Sequence, residues 1–147
     1  MADLLNNTNS NANNYGDDAI VTLSPREHIR LRPGMYVGVV GDGSQPDEAL
    51  YVLIKEVVDN SIDEFIMGAG RQIDITLADN VVTVRDYGRG IPLKSLAAAV
   101  GQMNTGGKYG GDAFKKTVGL NGVGVKAVNM LSEEFTARSV RDGEART

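Results

Sequence analysis

The segment from Asp47 to Met67 places the strongest constraint on the fold, because its pattern is that of one long helix. Small and apolar residues recur in it at intervals of three and four, a spacing that brings them onto one face of a helix. The residues of this predicted face are Leu50, Ile54, Val57, Ser61 and Phe65. Glycines follow at positions 68 and 70, and glycine commonly ends a helix. We therefore expect a long helix that packs in the core.

Alternating segments follow this helix and predict an antiparallel hairpin. Residues 72–77 and 81–85 alternate between apolar and polar side chains, and the turn sequence Ala78-Asp79-Asn80 separates them. Helices are also predicted over residues 25–31, 92–103 and 123–131, a strand over 134–140 before an Asp-Gly turn, and a type II turn at 32–35. Helices combined with hairpins predict the α+β class.

Glycine and asparagine mark the segments without regular structure. The chain has 18 glycines among 147 residues, more than an ordinary domain carries. Residues 104–120 are too rich in glycine for a helix or strand, so we expect a long mobile loop there. Residues 1–14 are polar and Asn-rich, which predicts a flexible arm. Since the chain stops shortly after Gly143, we also expect it to be a piece of a longer protein.

Composition excludes several kinds of site. The chain has no cysteine and one histidine, His28, which excludes disulfides, thiolate nucleophiles and the usual zinc sites, so any metal must be held by oxygen ligands. There is no apolar run long enough for a membrane span and no signal-peptide pattern, which predicts a soluble, cytoplasmic protein without a membrane partner. A net charge of −4 argues against a broad basic surface for nucleic acid in this chain.

Four polar residues on the long helix form the first candidate site. Glu56, Asn60, Asp63 and Glu64 follow one another at spacings that give one polar stripe. The stripe could simply face solvent. However, Val52 and Leu53 precede Glu56 by about one turn, so its carboxylate would lie beside apolar side chains that can tune its basicity. A carboxylate and an amide oxygen one turn apart could also hold a water and a magnesium ion.

Asp86 is the second candidate. It has the same parity as Val82 and Val84, so we expect it to point to the core side of its strand. The sequence around Gly88 and Gly90 is also a common turn sequence, and Asp86 could merely cap that turn. The functional alternative is that Asp86 accepts a hydrogen bond from a ligand's exocyclic amine, with the glycines allowing a close approach.

The third candidate is the glycine-rich run Gly119–Gly124, which opens into a helix. Backbone N–H groups at a helix start form an anion site suited to phosphate, although the run could instead be a helix cap or a hinge. The glycine order differs from that of a dinucleotide-binding fingerprint, and it follows a loop rather than a strand. A Walker A loop is also absent, because Tyr109 follows Lys108 where Ser or Thr is required.

The order of these three patterns along the chain resembles that of the GHKL ATPases, the family of type II DNA topoisomerases, Hsp90-type chaperones, MutL-type repair proteins and histidine kinases. The resemblance is closest to the B subunits of bacterial DNA gyrase and topoisomerase IV, and the segments that carry it are residues 32–38, 56–64, 86–92 and 106–108. It implies the GHKL (Bergerat) ATP-binding fold, with helices on one face of a mixed, largely antiparallel sheet that is incomplete at the C-terminus. Residues 1–19 would be a flexible dimerisation arm and residues 20–147 a partial ATPase domain.

The resemblance also implies a role for individual residues. Glu56 matches the general base that orients the attacking water, Asn60 the Mg2+ ligand and Asp86 the adenine-recognition residue. Gly90 and Ile91 match residues of the base pocket. Tyr15 and Ile20 match arm residues that reach a partner's nucleotide, and Arg89 with Glu64 matches an ion pair at the pocket rim near Arg141. The residues matching the segment that wraps the phosphates are Lys108, Leu120, Asn121, Gly122, Val123 and Gly124.

ATP and Mg2+ are thus the implied ligands, and ATP-dependent DNA strand passage is the implied activity. The implied partners are a second copy of the same subunit, reached through the arm, and the A subunit and DNA, reached through parts that this sequence does not contain. The transducer lysine of the family is likewise not in the sequence, so we expect little turnover by this chain alone. Asn121 departs from the histidine common in gyrase, and residues 102–105 differ from the usual residues before Gly-Gly-Lys; both departures favour a topoisomerase IV type or a divergent lineage without excluding gyrase. A chaperone-type ATPase and a non-enzymatic nucleotide-binding module are the alternatives.

Overall fold

The predicted long helix is present as a helix of 18 residues, Ala49–Ile66, in a computed structural model that describes residues 20–105 and 122–147. Helices and antiparallel strands together confirm the α+β class. The helices are α1 Pro25–Leu31, α2 Gly34–Val37, α3 Ala49–Ile66, α4 Leu96–Gly101 and α5 Gly124–Leu131, and the strands are β1 Ile73–Ala78, β2 Val81–Asp86, β3 Ser139–Arg141 and β4 Glu144–Arg146. A 3-10 turn, Leu93–Ser95, precedes α4.

Helix α1 begins where the sequence predicts it. The Ser24 hydroxyl accepts the backbone N–H of Glu27, and the Glu27 carboxylate accepts the backbone N–H of Ser24, so the two residues form a capping box. Pro25 occupies the first helical position, where its missing N–H costs no hydrogen bond. These local bonds satisfy donors that the helix itself cannot.

The type II turn predicted at residues 32–35 is wrong. The Met35 N–H does donate to the Arg32 carbonyl, as in a turn, but Pro33 has φ −58° and ψ −35°, which is helical geometry. A type II turn requires an extended ψ at that position. Pro33 therefore starts the short helix α2, which carries Val37 into the core.

Two faces of α3 are used, which explains why its predicted apolar face is only partly buried. Leu50 and Phe65 are exposed, whereas Ser61 is buried. The side that enters the hydrophobic core starts at Ala49 and includes Val52 and Leu53. The neighbouring side, which carries Ser61, lies against β2. The small and apolar residues with which α3 packs are therefore divided between the side of the helix that enters the core and the side that lies against β2.

The hairpin predicted after α3 is confirmed. Strands β1 and β2 pair antiparallel from Ile73 opposite Asp86 to Ala78 opposite Val81. Asp79 and Asn80 between them have φ of 51° and 62°, the left-handed pair found in tight two-residue hairpin turns. The Asp-Gly turn at residues 142 and 143 is also confirmed and joins β3 to β4. The two hairpins form separate two-stranded sheets within the described residues.

Helix α5 lies at the centre of the helical layer and contacts α1, α2, α3 and α4. Ala127 on α5 packs with Val37 and Ala49 in the hydrophobic core, and Tyr36, Val52, Leu53 and Leu131 pack around them. At the other end of the helix, Arg30 of α1 donates to the carbonyl oxygens of Met130 at 2.7 Å and Ser132 at 3.3 Å. A cation at a helix C-terminus is favourable because unpaired carbonyls concentrate negative charge there.

Some predicted boundaries shift. The helix predicted over residues 92–103 begins as the 3-10 turn Leu93–Ser95, continues as α4 and ends at Gly101. The strand predicted over 134–140 is confined to Ser139–Arg141. The flexible arm and most of the predicted mobile loop lie outside the described residues. No helix in the described part of the chain is both long and apolar enough to cross a membrane.

The core contribution of α1 is testable at Ile29, which is fully buried. Ile29→Ala should lower the free energy of unfolding in urea by about 2–5 kcal/mol, because truncation removes buried area and leaves a cavity. Leu31 on the same helix is 64% exposed, so Leu31→Ala is the matched control and should cost no more than about 0.5 kcal/mol. Equal losses in the two variants would contradict this packing.

Candidate active site

The half-buried Glu56 lies on the inner side of α3, one turn beyond the residues that enter the core. Val52 and Leu53 pack against the core cluster, and helical spacing puts Glu56 on the same side. The predicted neighbourhood of a carboxylate beside apolar side chains is therefore present.

Gly124, the first residue of α5, lies directly against the Glu56 carboxylate. A Cβ atom at position 124 would be only 1.8 Å from Glu56 Oε2 and 2.7 Å from Cδ. A side chain at position 124 would collide with this carboxylate, so Glu56 can keep its present position only with glycine at the start of α5. The packing brings together two patterns that are far apart in sequence, the acidic stripe and the end of the glycine-rich run.

The start of α5 carries backbone N–H groups and no capping side chain. Val123 precedes the helix without a side-chain hydrogen bond to it, and Gly122 has a φ of 61° that favours glycine. The first N–H groups of a helix have no partner within the helix and can bind an anion. Four predicted site residues, Tyr15, Lys108, Leu120 and Asn121, lie outside the described residues.

Asn60 is exposed one turn after Glu56. Its side-chain Nδ2 donates to the backbone carbonyl oxygen of Glu56 at 2.6 Å, which fixes the orientation of the amide. Asp63, the next residue of the predicted stripe, is 2% exposed. The stripe is thus only partly a solvent-facing surface. Within residues 20–105 and 122–147, no three histidine or acidic side chains converge into a metal-binding cluster.

Asp86 ends β2 on the side that faces α3, as its parity predicts, but it is exposed rather than buried. Its Oδ1 accepts the backbone N–H of Gly88 at 2.8 Å, and its Oδ2 is 3.5 Å from the Ser61 hydroxyl, which donates a long hydrogen bond. The turn-capping interpretation is therefore correct as far as it goes. The second oxygen also links the carboxylate to α3.

A shallow cavity of about 220 Å³ lies at this end of α3. Its lining residues are Ser61, Phe65, Ala69, Gly70, Arg71, Gln72, Ile73 and Asp86. Glu56 and Asn60 are not among them. The candidate site is therefore extended, with Asp86 at one end and the Glu56–Gly124 contact at the other.

The loop after Asp86 is fixed to α3 by the expected ion pair between Arg89 and Glu64. The guanidinium donates to both carboxylate oxygens, at 3.0 and 2.8 Å, and the Arg89 backbone N–H donates to the same carboxylate at 3.0 Å. The Glu64 carboxylate raises the pKa of Arg89. Gly88 leaves room for this arrangement, since a Cβ there would be 2.8 Å from Glu64 Oε2.

Tyr87 ties the same loop to β1. Its hydroxyl donates to Asp74 at 2.7 Å, and its ring lies 4.6 Å from the Arg85 guanidinium. Hydrogen bonds from Gln72 and then from Tyr87 lower the pKa of the Asp74 carboxyl, and the bond to Asp74 raises the pKa of Tyr87. The carboxylate form of Asp74 is thus favoured in the folded chain. Its contribution to the stability of the fold is lost as the pH falls through the lowered pKa.

Gly90 and Ile91 are held from the other side by the hairpin β3–β4. Gly90 has a φ of 74°, and a Cβ there would be 2.3 Å from the Val140 carbonyl oxygen. The Ser139 hydroxyl donates to the Ile91 carbonyl at 2.8 Å, and Arg141 donates to that of Gly90 at 3.2 Å. Gly88 and Gly90 therefore allow close approach of other parts of the protein, Glu64 and the Val140 backbone. Ile20, before α1, is 70% exposed.

Three polar contacts near the site were not predicted from the sequence. The sequence pattern predicts Ser61 on an apolar face, yet its hydroxyl is the α3 partner of Asp86. The other two are Ser139 and Lys126, and Lys126 is 4% exposed and donates to the Thr105 carbonyl at 2.6 Å. A lysine inside a short apolar helix is the one signal that could have been noticed. Nothing local marks either serine.

The chain is similar in sequence to proteins of one known family. Residues 45–146 match the family model described as histidine kinase-, DNA gyrase B- and HSP90-like ATPase. The chain is 58% identical over 132 residues to the B subunit of DNA topoisomerase 4 from Borreliella burgdorferi, a match that covers 90% of this chain and 22% of that protein. It is 44% identical over 143 residues to the B subunit of DNA gyrase from Rickettsia conorii, covering 91% and 17%. It is 40% identical over 141 residues to the B subunit of DNA topoisomerase 4 from Streptococcus pneumoniae, covering 90% and 21%. The chain thus spans about a fifth of the length of these curated relatives.

The contact at Gly124 gives a direct test. Gly124→Ala should move the Glu56 carboxylate by roughly 1.5 Å in a crystal structure, because 1.8 Å must become a normal contact. Stability should be kept, since alanine favours a helix over glycine by up to about 1 kcal/mol and the carboxylate can swing away. Gly101→Ala is the control, because its Cβ would meet only Asn129 Nδ2, at 3.9 Å. An unmoved carboxylate in Gly124→Ala would refute the close approach.

Proposed function

Because the chain belongs to the family of histidine kinase-, DNA gyrase B- and HSP90-like ATPases, we propose that it binds ATP and takes part in its hydrolysis as the N-terminal part of the B subunit of a type II DNA topoisomerase. The observation that carries the proposal is the contact between the Glu56 carboxylate and Gly124. It sets an acidic group beside a helix start that can take a phosphate. Attack by water on a terminal phosphate uses both, a base for the water and donors for the phosphate oxygens.

Hydrolysis of ATP needs mainly positioning and charge stabilisation, since little covalent chemistry falls to the protein. Glu56 would hold the attacking water and accept its proton. The N–H groups at Gly122, Val123 and Gly124 would bind phosphate oxygens at the start of α5. By the family resemblance, Lys108, Leu120 and Asn121 would complete the phosphate contacts.

The side-chain oxygen of Asn60, one turn after Glu56 on α3, suits magnesium. Because the Asn60 Nδ2 is turned to the helix backbone, the amide oxygen lies on the other side of the group. Amide oxygens are ligands for Mg2+, which commonly keeps several waters and takes further oxygens from substrate phosphates. We therefore assign Asn60 as its protein ligand. A bound Mg2+ would supply charge neutralisation at those phosphates.

The adenine end of the site is assigned to Asp86. Its carboxylate would accept a hydrogen bond from the exocyclic amine, with the Ser61 hydroxyl beside it. Gly90 and Ile91 would line the base pocket. Ile91 is 38% exposed, which leaves apolar surface for a planar base to cover.

Wider aspects of the proposal follow from the relatives named DNA topoisomerase and DNA gyrase. The activity would be ATP-dependent DNA strand passage in the bacterial cytoplasm, and the partners would be a second copy of the same subunit, an A subunit and DNA. Residues 1–19, with Tyr15, and the exposed Ile20 would contact that second copy and its nucleotide. The identities of 58% and 40% to two topoisomerase 4 relatives lie on either side of the 44% to gyrase, so the proposal covers both kinds of enzyme.

Replacing the proposed base separates binding from turnover. Glu56→Ala in the complete protein should keep ATP binding and lower the hydrolysis rate at least about 100-fold, since a positioned general base contributes on that order. Asp59→Ala is the control, because this carboxylate on the same helix pairs with Lys55 and should leave turnover within about twofold. Undiminished hydrolysis by Glu56→Ala would exclude Glu56 as the base.

Adenine recognition is tested at Asp86. Asp86→Asn should weaken ATP binding in calorimetry about tenfold or more, because an amide group presents a donor where the carboxylate offers only acceptors. Asp79→Asn is the matched control, since Asp79 lies in the hairpin turn with a φ of 51° that asparagine tolerates. Equal affinities of the two variants would remove Asp86 from the site.

A further inference from the structure

One face of the β3–β4 hairpin is directed at the loop that follows Asp86. Ser139 and Arg146 are opposite each other in the antiparallel register, and Arg141 lies two residues beyond Ser139, so all three side chains are on the same face. Each donates to a main-chain carbonyl of the loop: Ser139 to Ile91 at 2.8 Å, Arg141 to Gly90 at 3.2 Å and Arg146 to Leu93 at 3.0 Å.

The loop has little else to fix it on this side. Gly90 and Ile91 precede the 3-10 turn Leu93–Ser95, and Ile91 is at the exposed surface. The described backbone–backbone hydrogen bonds between elements do not use the carbonyls of Gly90 or Ile91, whereas the Leu93 carbonyl also accepts the Leu96 N–H. For Gly90 and Ile91, the hairpin side chains therefore supply the hydrogen bonds that the carbonyls form in the described structure.

Ser139 makes the shortest and the most buried of the three contacts. It is 4% exposed, so water cannot readily replace its bond to Ile91. Removing the hydroxyl would leave the Ile91 carbonyl without the donor that it has in the described structure, which weakens the attachment of the loop. Arg141 and Arg146 are exposed and share their hydrogen-bonding capacity with water.

We propose that Ser139, supported by Arg146, is a positioning residue for the base end of the nucleotide site, which it serves by holding the Ile91 and Leu93 carbonyls and thus the Gly90–Ile91 backbone. The inference rests on the proposed function, because Gly90 and Ile91 matter to a ligand only if they line the base pocket. Neither side chain touches the nucleotide. Their effect is on affinity for the base and not on the chemical step, which belongs to Glu56 at the other end of the site.

The test compares Ser139→Thr with Ser139→Val in the complete protein. Threonine and valine have nearly the same shape, so any disturbance from the added methyl group is common to both, and only the hydroxyl differs. The probe is a non-hydrolysable imido analogue of ATP with Mg2+, titrated by calorimetry. The steady-state KM and kcat for ATP and the melting temperature of each variant are measured beside it. Thr136→Val, at an exposed threonine, is the control for removal of a hydroxyl elsewhere on the same segment.

The valine variant should bind the analogue about three- to tenfold more weakly than the threonine variant, the range that corresponds to one ordinary hydrogen bond. Its KM for ATP should rise by the same factor while kcat at saturating ATP stays within about twofold of the threonine variant. Threonine should restore the affinity of the unchanged protein. Equal binding by the two variants, or a fall in kcat without a rise in KM, would overturn the inference.

Two further results keep the proposal separate from the ATP assignment and from simple unfolding. If the unchanged protein does not bind the analogue, the proposed function fails. If it binds and the two Ser139 variants do not differ, only the present inference fails. Should Ser139→Val not fold, Arg146→Met is compared with Arg138→Met, which is also at an exposed arginine. Weaker binding only in Arg146→Met supports the inference, and equal binding overturns it.

Discussion

The close approach of α5 to α3 at Gly124 is the constraint on which the site and the fold both depend. With a Cβ at position 124, Glu56 could not keep its place, because the two would be 1.8 Å apart. The same approach brings Ala127 of α5 into the core with Val37 and Ala49. The same position of α5 therefore determines both the core packing and the surroundings of the proposed base. A change that moved α5 outward to make room at Glu56 would also pull Ala127 out of the core.

The two ends of the candidate site are built by different physical means. At the Glu56 end, a helix start is fixed by the packing of apolar residues along α5, and by Arg30 at the opposite end of the same helix. At the Asp86 end, a surface loop is held by polar bonds, with Glu64 on the α3 side and Ser139 on the hairpin side. Packing gives a position that salt hardly affects. The exposed ion pair at the loop contributes less to stability and is screened by salt.

Local sequence signals predicted most of the elements and little of what joins them. The start of α1 at Pro25, the long helix Ala49–Ile66 and the turn at Asp79-Asn80 each depend on residues close to one another in sequence, and the sequence predicts all three. The type II turn failed because Pro33 also suits the start of a helix. The bonds from Arg30 to Met130 and from Ser139 to Ile91 join residues 100 and 48 positions apart, and no local pattern encodes such pairs. Roles for Glu56, Asn60 and Asp86 came from the order of the motifs and from family resemblance, since each pattern alone also has a purely structural interpretation.

The long separation between Ser139 and Ile91 has a consequence for the order in which the chain gains its structure. Helix α3 and the β1–β2 hairpin bring together neighbours in sequence and so require little loop closure. The hydrogen bonds that hold the Gly90–Ile91 loop instead come from the β3–β4 hairpin, which lies after α5 in the chain. During synthesis the N-terminal elements can therefore fold before the residues that fix this loop have been made. The base end of the site is therefore complete only when the β3–β4 hairpin has been made and has packed against the loop.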